Sequence, residues 1–273
     1  MRAREQDNPG STSVRNRQIH GTKASAGLER WFVGPLGETL LAKESEALFQ
    51  GVRRLHGYTL LWMGPVAMPR LELSRCMVRN RAYCALSDDA ASAHAFGSAT
   101  VFRGQMEDLP VAPCTLDAVV VHHGFDCCDD PRSSIREIAK ALRPGGRVLV
   151  CGFNPWSFWG LRRVFAALRG ARLAPFVSPT RLVDWLAVLG FEVDEGVRFL
   201  MFRPPLVRFR FERSWLTRLR TALERWQPPI GGVYCVLARK SSAATLPLSE
   251  PRQARQPKLV VAALPGPTAR NPQ

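Results

Sequence analysis

Apolar residues at Leu40, Leu41, Ala47, Leu48, Val52 and Leu55 recur at a spacing that places them on one side of a helix. Tyr58 to Met63 is a short continuous apolar run closed by Gly64-Pro65, the pattern of a strand followed by a turn. Ala82 to Leu86 and Ala99 to Phe102 are shorter runs of the same kind. Leu116 to Val121 is the clearest strand, because an unbroken run of valines suits a parallel strand covered on both faces. Pro131 then opens a helix with Asp130 at its N-cap. Its apolar side is Ile135, Ile138, Ala139 and Leu142, and Arg143-Pro144-Gly145-Gly146 stops it. Arg147 to Cys151 is the next strand. A second capped helix starts at Ser178-Pro179, buries Leu182, Val183, Trp185, Leu186 and Leu189, and closes at Gly190. Phe191 to Val197 and Val233 to Ala238 complete the series as late strands. Alternating strands and helices predict an α/β fold with a doubly wound, mainly parallel sheet. Such a sheet binds ligands beyond the carboxyl ends of its strands, where the strand order reverses.

The ends of the chain lack this periodicity. Residues 1–26 are polar and carry no apolar stretch of the signal-peptide kind, and residues 241–273 are rich in Pro, Ser and Ala. Both are expected to be disordered, which leaves residues 27–240 as one domain. No internal repeat is present. Hydrophobic residues make up 46% of the 273, enough for a proper core, and no apolar run is long enough to span a membrane. A cytoplasmic location is expected. The seven cysteines form no C-x-x-C pair and sit mostly in apolar segments, so they read as reduced thiols. His122-His123 beside Cys127-Cys128 collects metal-ligating side chains, but neighbours in sequence are poorly placed around one tetrahedral ion, so no metal is expected.

The formal net charge of +15 comes from 38 Lys+Arg against 23 Asp+Glu. Such an excess suits nucleic acid or an anionic membrane surface, and a coding bias towards arginine would produce it as well. It concentrates between Arg198 and Arg225, where eight arginines face only Glu212 and Glu224, with Trp215 and Trp226 among them. Trp156, Phe158, Trp159, Leu161, Val164, Phe165 and Leu168 alternate with Arg162, Arg163, Arg169 and Arg172 as one amphipathic, basic helix. That helix suits a lid, a lipid or partner contact, or plain packing on the sheet with its arginines in solvent.

The stretch from Thr115 to Arg163 resembles the second half of a class I, S-adenosylmethionine-dependent methyltransferase. Asp117, Leu142, Pro144, Gly145 and Gly146 stand where that family has a strand of form "hydrophobic, Asp, hydrophobic run" and a helix ending "L-x-P-G-G". Gly104-Gln105-Met106-Glu107-Asp108-Leu109-Pro110 is similar to the family's "G-D-A-E-D-L-P" loop, which meets the adenine of the cofactor. Gly152 to Arg163, reading GFNPWSFWGLRR, is similar to a bacterial subgroup of methyltransferase-like proteins. The resemblance implies a Rossmann-like seven-stranded sheet closed by an antiparallel pair, with S-adenosylmethionine as cofactor. Gly64, Asp88, Gln105 and Met106 are then expected to line the cofactor, and His123 and Asn154 to face the methyl acceptor.

The chain departs from the family at the first strand. The family's "D-x-G-x-G-x-G" turn reads Trp62-Met63-Gly64-Pro65-Val66-Ala67-Met68, with Trp62 in the acidic place and only the first glycine kept. The acid after the second strand falls near Ala85, and Asp88 and Asp89 come three or four residues later. Gln105 replaces the adenine loop's first acid; it can still hydrogen-bond but carries no charge.

Among the polar residues after the fourth strand, His123 could take a proton from a nucleophile, or His122 and His123 could be loop histidines bonded to backbone. Asp126 is a candidate substrate contact, Asp130 a helix cap and Asp117 a structural acid. Asn154 precedes Pro155, either positioning a substrate or simply making a turn. Two functions follow: a methyltransferase, or a catalytically inactive methyltransferase-like module binding RNA, an anionic membrane or a protein. A nicotinamide enzyme does not fit, because no G-x-G-x-x-G follows the first strand.

Overall fold

The computed structural model describes residues 25–65, 77–86, 100–157, 160, 176–200 and 231–242. Seven strands form one sheet: β1 (His56–Gly64), β2 (Met77–Ala85), β3 (Thr100–Arg103), β4 (Leu116–His122), β5 (Leu142–Phe153), β6 (Phe191–Leu200) and β7 (Val233–Lys240). Their order is β3-β2-β1-β4-β5-β7-β6. The first five pair in parallel, and β7 runs antiparallel between β5 and β6. The α/β, doubly wound sheet with a closing antiparallel pair is therefore the observed one. The order reverses between β1 and β4, so the ligand-binding edge of such a sheet falls at the ends of these two strands.

The described helices are α1 (25–33), α2 (Pro35–Val52), α3 (Pro131–Ala141) and α4 (Pro179–Val188). Alternation along the strands sorts the core onto two faces. Leu61, Met63, Val119, Val121, Val148 and Val150 pack with Ile135 and Ile138 of α3 and Leu182 and Leu186 of α4. Leu60, Trp62, Ala118, Val120, Leu149 and Cys151 point the other way, against Leu48 and Val52 of α2. The cysteines in the described residues are free thiols, buried except at Cys114.

Local chemistry explains the boundaries. Asp130 caps α3 by accepting from the backbone N–H groups of Arg132 and Ser133, and Ser178 caps α4 by accepting from Arg181. The helix α3 stops at Ala141, one residue earlier than its apolar pattern implies. Leu142 is already extended (φ −73°, ψ 133°), and Lys240 Nζ donates to the carbonyls of Ala139 and Leu142 at 2.6 and 2.9 Å. A buried lysine thus closes the negative end of the helix. Leu142 pairs with Leu116 and Arg147 with Ala118, so residues 143–146 bulge out of β5 opposite the single residue Asp117. Gly145 takes φ +80° at the bulge, as the Pro-Gly-Gly pattern requires.

Several elements differ in extent from the sequence reading. β2 begins at Met77 rather than near Ala82, because its first half is largely exposed and shows no clean alternation. β6 and β7 extend to Leu200 and Lys240. The helix over 25–33 was not expected from the pattern. It buries Phe32 beside Leu40, Phe153 and Val233, at the carboxyl end of β5. The N-terminal stretch before residue 25, the C-terminal tail after 242, Asp88 and Asp89, the basic helix over 161–172, and Arg203 to Arg225 with Trp215 and Trp226 lie outside the described residues.

Candidate active-site edge

The side chain that organises this edge is Glu44. It shares one stripe of α2 with Leu40, Leu48 and Val52, all buried, so a carboxylate stands within an apolar face. Facing it is the end of β4. His122 is the last residue of the strand, and its Nε2 lies 3.0 Å from Glu44 Oε2. His123 follows immediately, and in extended backbone its ring would point to the opposite face. Instead it adopts φ +54°, an uncommon conformation for a residue with a Cβ. This turns its ring back, placing Nε2 3.0 Å from Glu44 Oε1 and Nδ1 2.8 Å from Asp126 Oδ2. The same Asp126 oxygen accepts the backbone N–H of Phe153 at 3.0 Å, fixing the turn after β4 to the end of β5. Glu44, His122 and His123 are fully buried and Asp126 nearly so, under Phe32, Trp62 and Phe153.

The electrostatics follow from these contacts. Burial alone would lower the His123 pKa, but the Glu44 charge and the hydrogen bonds to Asp126 and Glu44 outweigh it and push it up to about 10. Burial would raise Glu44, yet the His123 charge and the hydrogen bonds from both rings hold it at about 2. With a carboxylate on each ring nitrogen, His123 as placed is clamped and not poised to take a proton from an acceptor.

Asn154 is equally committed. Its backbone N–H donates to Gly232 O, its Nδ2 donates to Gly231 O at 3.0 Å, and its Oδ1 accepts from Trp156 N at 3.1 Å. It staples the end of β5 to the start of β7. Trp156, next along, is exposed.

On the cofactor side, Gly64 sits at the switch point. A Cβ there would lie 2.1 Å from His122 O, so glycine is required by the approach of β1 to β4 irrespective of any ligand. Its carbonyl accepts from the Tyr83 hydroxyl at 3.0 Å. Trp62, in the family's acidic place, is buried on the α2 side of the sheet. Gln105 is exposed on the loop after β3, bridged to Asp108, while Met106 is buried against Gly124. That loop offers an amide at the surface over an apolar floor, which suits the adenine half of a nucleoside cofactor. No acid for the amino-acid end stands on β1. Only twelve residues, 65–76, connect β1 to β2, close to the minimum for a parallel crossover.

Glu44 is the residue the sequence reading missed. Its signal was present: it falls four residues after Leu40 and four before Leu48, on the stripe that must be buried. The sequence reading set neighbouring histidines apart as poorly placed around one ion; the positive φ of His123 nevertheless turns both rings onto Glu44. Asp117 behaves as expected. Its Oδ2 accepts the backbone N–H groups of Tyr58 and Thr59 at 2.7 and 2.9 Å, and its Oδ1 pairs with Arg143.

Residues 73–150 match the family described as Methyltransferase domain. Solved methyltransferases share the whole architecture. A SAM-dependent methyltransferase, possible histamine N-methyltransferase, from Thermotoga maritima superposes with a TM-score of 0.56 at 18% identity, covering 81% of this chain and all of that one. The fold is that of the class I methyltransferases. The chain is 31% identical over 145 residues to the uncharacterized protein YafS of Escherichia coli, covering 52% of this chain and 54% of YafS. It is 27% identical over 147 residues to the ubiquinone/menaquinone biosynthesis C-methyltransferase UbiE of Rubrivivax gelatinosus, covering 53% of each. The chain thus spans about half the length of these two relatives. The match to the methyltransferase domain includes β2 to β5 and omits β1, the strand where the cofactor motif is altered.

Among the described residues, no helix is long and apolar enough to cross a membrane.

Proposed function

We propose that the protein transfers a methyl group from S-adenosylmethionine to an acceptor at the β1–β4 switch point. The observation that carries this reading is the convergence of Gly64, the Gln105–Met106 loop and the end of β4 at one edge of a methyltransferase sheet. Gln105 and Met106 would hold the adenine half, with Asp88 as the candidate for the ribose hydroxyls. The cofactor supplies an electrophilic methyl group, and a protein of this class accelerates transfer chiefly by aligning the acceptor with it. His123 and Asn154 contribute by fixing the ends of β4 and β5 where the acceptor would lie. Proton abstraction by His123 forms no part of this reading, given its two carboxylate partners.

Isothermal titration with S-adenosylmethionine and S-adenosylhomocysteine tests it. Saturable heat with either is expected, weakened several-fold in Gln105→Ala. Absence of heat at millimolar cofactor would remove the reading. A weak, salt-sensitive contact with nucleic acid or an anionic membrane through the Arg-rich stretch from Arg198 to Arg225 accompanies it, supported by that stretch's charge alone.

A further inference from the structure

We infer that Glu44, His122 and His123 form a buried site for a divalent transition-metal ion, with zinc as the reference occupant. The donor atoms of the three residues all lie within 4.8 Å of one another, and all three side chains are fully buried. Each Glu44 oxygen faces a different imidazole Nε2 at 3.0 Å. An ion between them would receive two imidazole nitrogens and the Glu44 carboxylate, three protein ligands of the types zinc accepts. Reaching bonding distances of about 2.0–2.2 Å requires only that the carboxylate and the rings spread slightly around the ion.

Three further features support an ion over a plain hydrogen-bonded cluster. The first lies outside the donor set. Asp126 grips His123 Nδ1 at 2.8 Å and is itself anchored by Phe153 N at 3.0 Å. A carboxylate on the far nitrogen is the usual arrangement behind a metal-bound imidazole, because it sets the tautomer and the ring orientation.

The second feature is backbone strain. A left-handed non-glycine residue is retained only where its surroundings demand it, and at His123 its effect is to bring two successive rings onto one carboxylate.

The third is the packing of the rings. The two imidazole centroids lie 4.8 Å apart, with both Nε2 atoms turned onto one carboxylate in a buried region. The ion would tie α2 to the end of β4, and so would be a structural centre at the acceptor edge rather than the seat of methyl transfer. The inference stands whether or not the protein binds S-adenosylmethionine.

The test uses the full chain, stripped with a chelator, dialysed and reloaded. Competition against a chromophoric chelator should show one tightly held Zn²⁺ per chain. Loading with Co²⁺ should give visible d–d bands without a thiolate-to-cobalt charge-transfer band. His122→Gln removes one donor and leaves the Glu44–His123–Asp126 pairing. It should weaken Zn²⁺ binding at least a hundredfold, and Asp126→Asn, acting from outside the donor set, should weaken it about 10–100-fold. No retained ion in the wild-type chain overturns the inference, and that measurement does not depend on the variants folding. A thiolate band, assigning the ion to cysteines, overturns it too, as does undiminished affinity in His122→Gln.

Discussion

Two buried polar residues illustrate opposite consequences of having partners. Asp117 spends both oxygens, accepting two backbone N–H groups from β1 and pairing with Arg143. Charge-assisted bonds of this kind contribute roughly 1.5–3 kcal/mol each, less than additively. Asp117→Ala should therefore lower the unfolding free energy by about 3 kcal/mol in urea titrations. Asp117→Asn, which keeps an acceptor oxygen but not the charge, should cost about 1 kcal/mol on the same grounds. An alanine variant as stable as the parent would refute the anchoring role. Tyr234 is the contrary case. It is fully buried, and its hydroxyl has no hydrogen-bond partner among the described residues. Burial, reinforced by the Asp126 charge, pushes its phenol well above the ordinary tyrosine range. Removing an unsatisfied buried hydroxyl removes a desolvation cost, so Tyr234→Phe should leave the thermal midpoint unchanged or raised. A clear loss of stability would show that the hydroxyl has a partner, such as a trapped water.

At the scale of elements, Gly64 separates what the sheet needs from what a ligand needs. A Cβ there meets the His122 carbonyl oxygen at 2.1 Å, and a backbone atom inside a sheet cannot move aside as a side chain end can. Gly64→Ala should cost at least 2–3 kcal/mol through overpacking, and should do so without any cofactor present. If the variant proves as stable as the parent and loses only cofactor binding, the glycine serves the ligand instead. Asp130→Ala should cost about 1 kcal/mol, the ordinary contribution of an N-cap that accepts two backbone N–H groups.

The elements themselves were largely legible in the sequence. β4 is an unbroken apolar run, the caps of α3 and α4 are residues with local reasons to be there, and Gly145 marks the bulge. The edge was less so. Glu44 is separated from His122 by 78 residues, and no local pattern tells that α2 crosses the end of β4. Nor does composition reveal a positive φ at His123, since few non-glycine residues take it and the residue type alone does not say which. The sequence pattern located the polar residues correctly, but it could not show that they would face one another instead of a substrate.

On the scale of the whole molecule, the sheet and the charge make separate demands. The sheet needs its edge assembled at the β1–β4 switch point, and buried carboxylates and imidazoles do that in a region from which solvent is excluded. The net charge of +15 plays no part in that assembly. Its densest stretch, between Arg198 and Arg225, is separate in sequence from every residue of the cluster. If that stretch meets polyanions, association with single-stranded RNA should be independent of sequence and fall steeply with salt, because each phosphate neutralised releases counterions. About four such contacts would give a log–log salt slope near −3 for a single strand. Replacing Arg208, Arg210 and Arg213 with glutamine should flatten the slope by roughly the number of contacts removed while leaving the thermal midpoint unchanged. A filter-binding series across salt concentrations measures both. A slope near zero in the parent chain would assign the arginines to composition rather than to a partner. Cofactor titration on the same triple variant should be unaltered, because none of the three arginines is among the residues assigned to the cofactor.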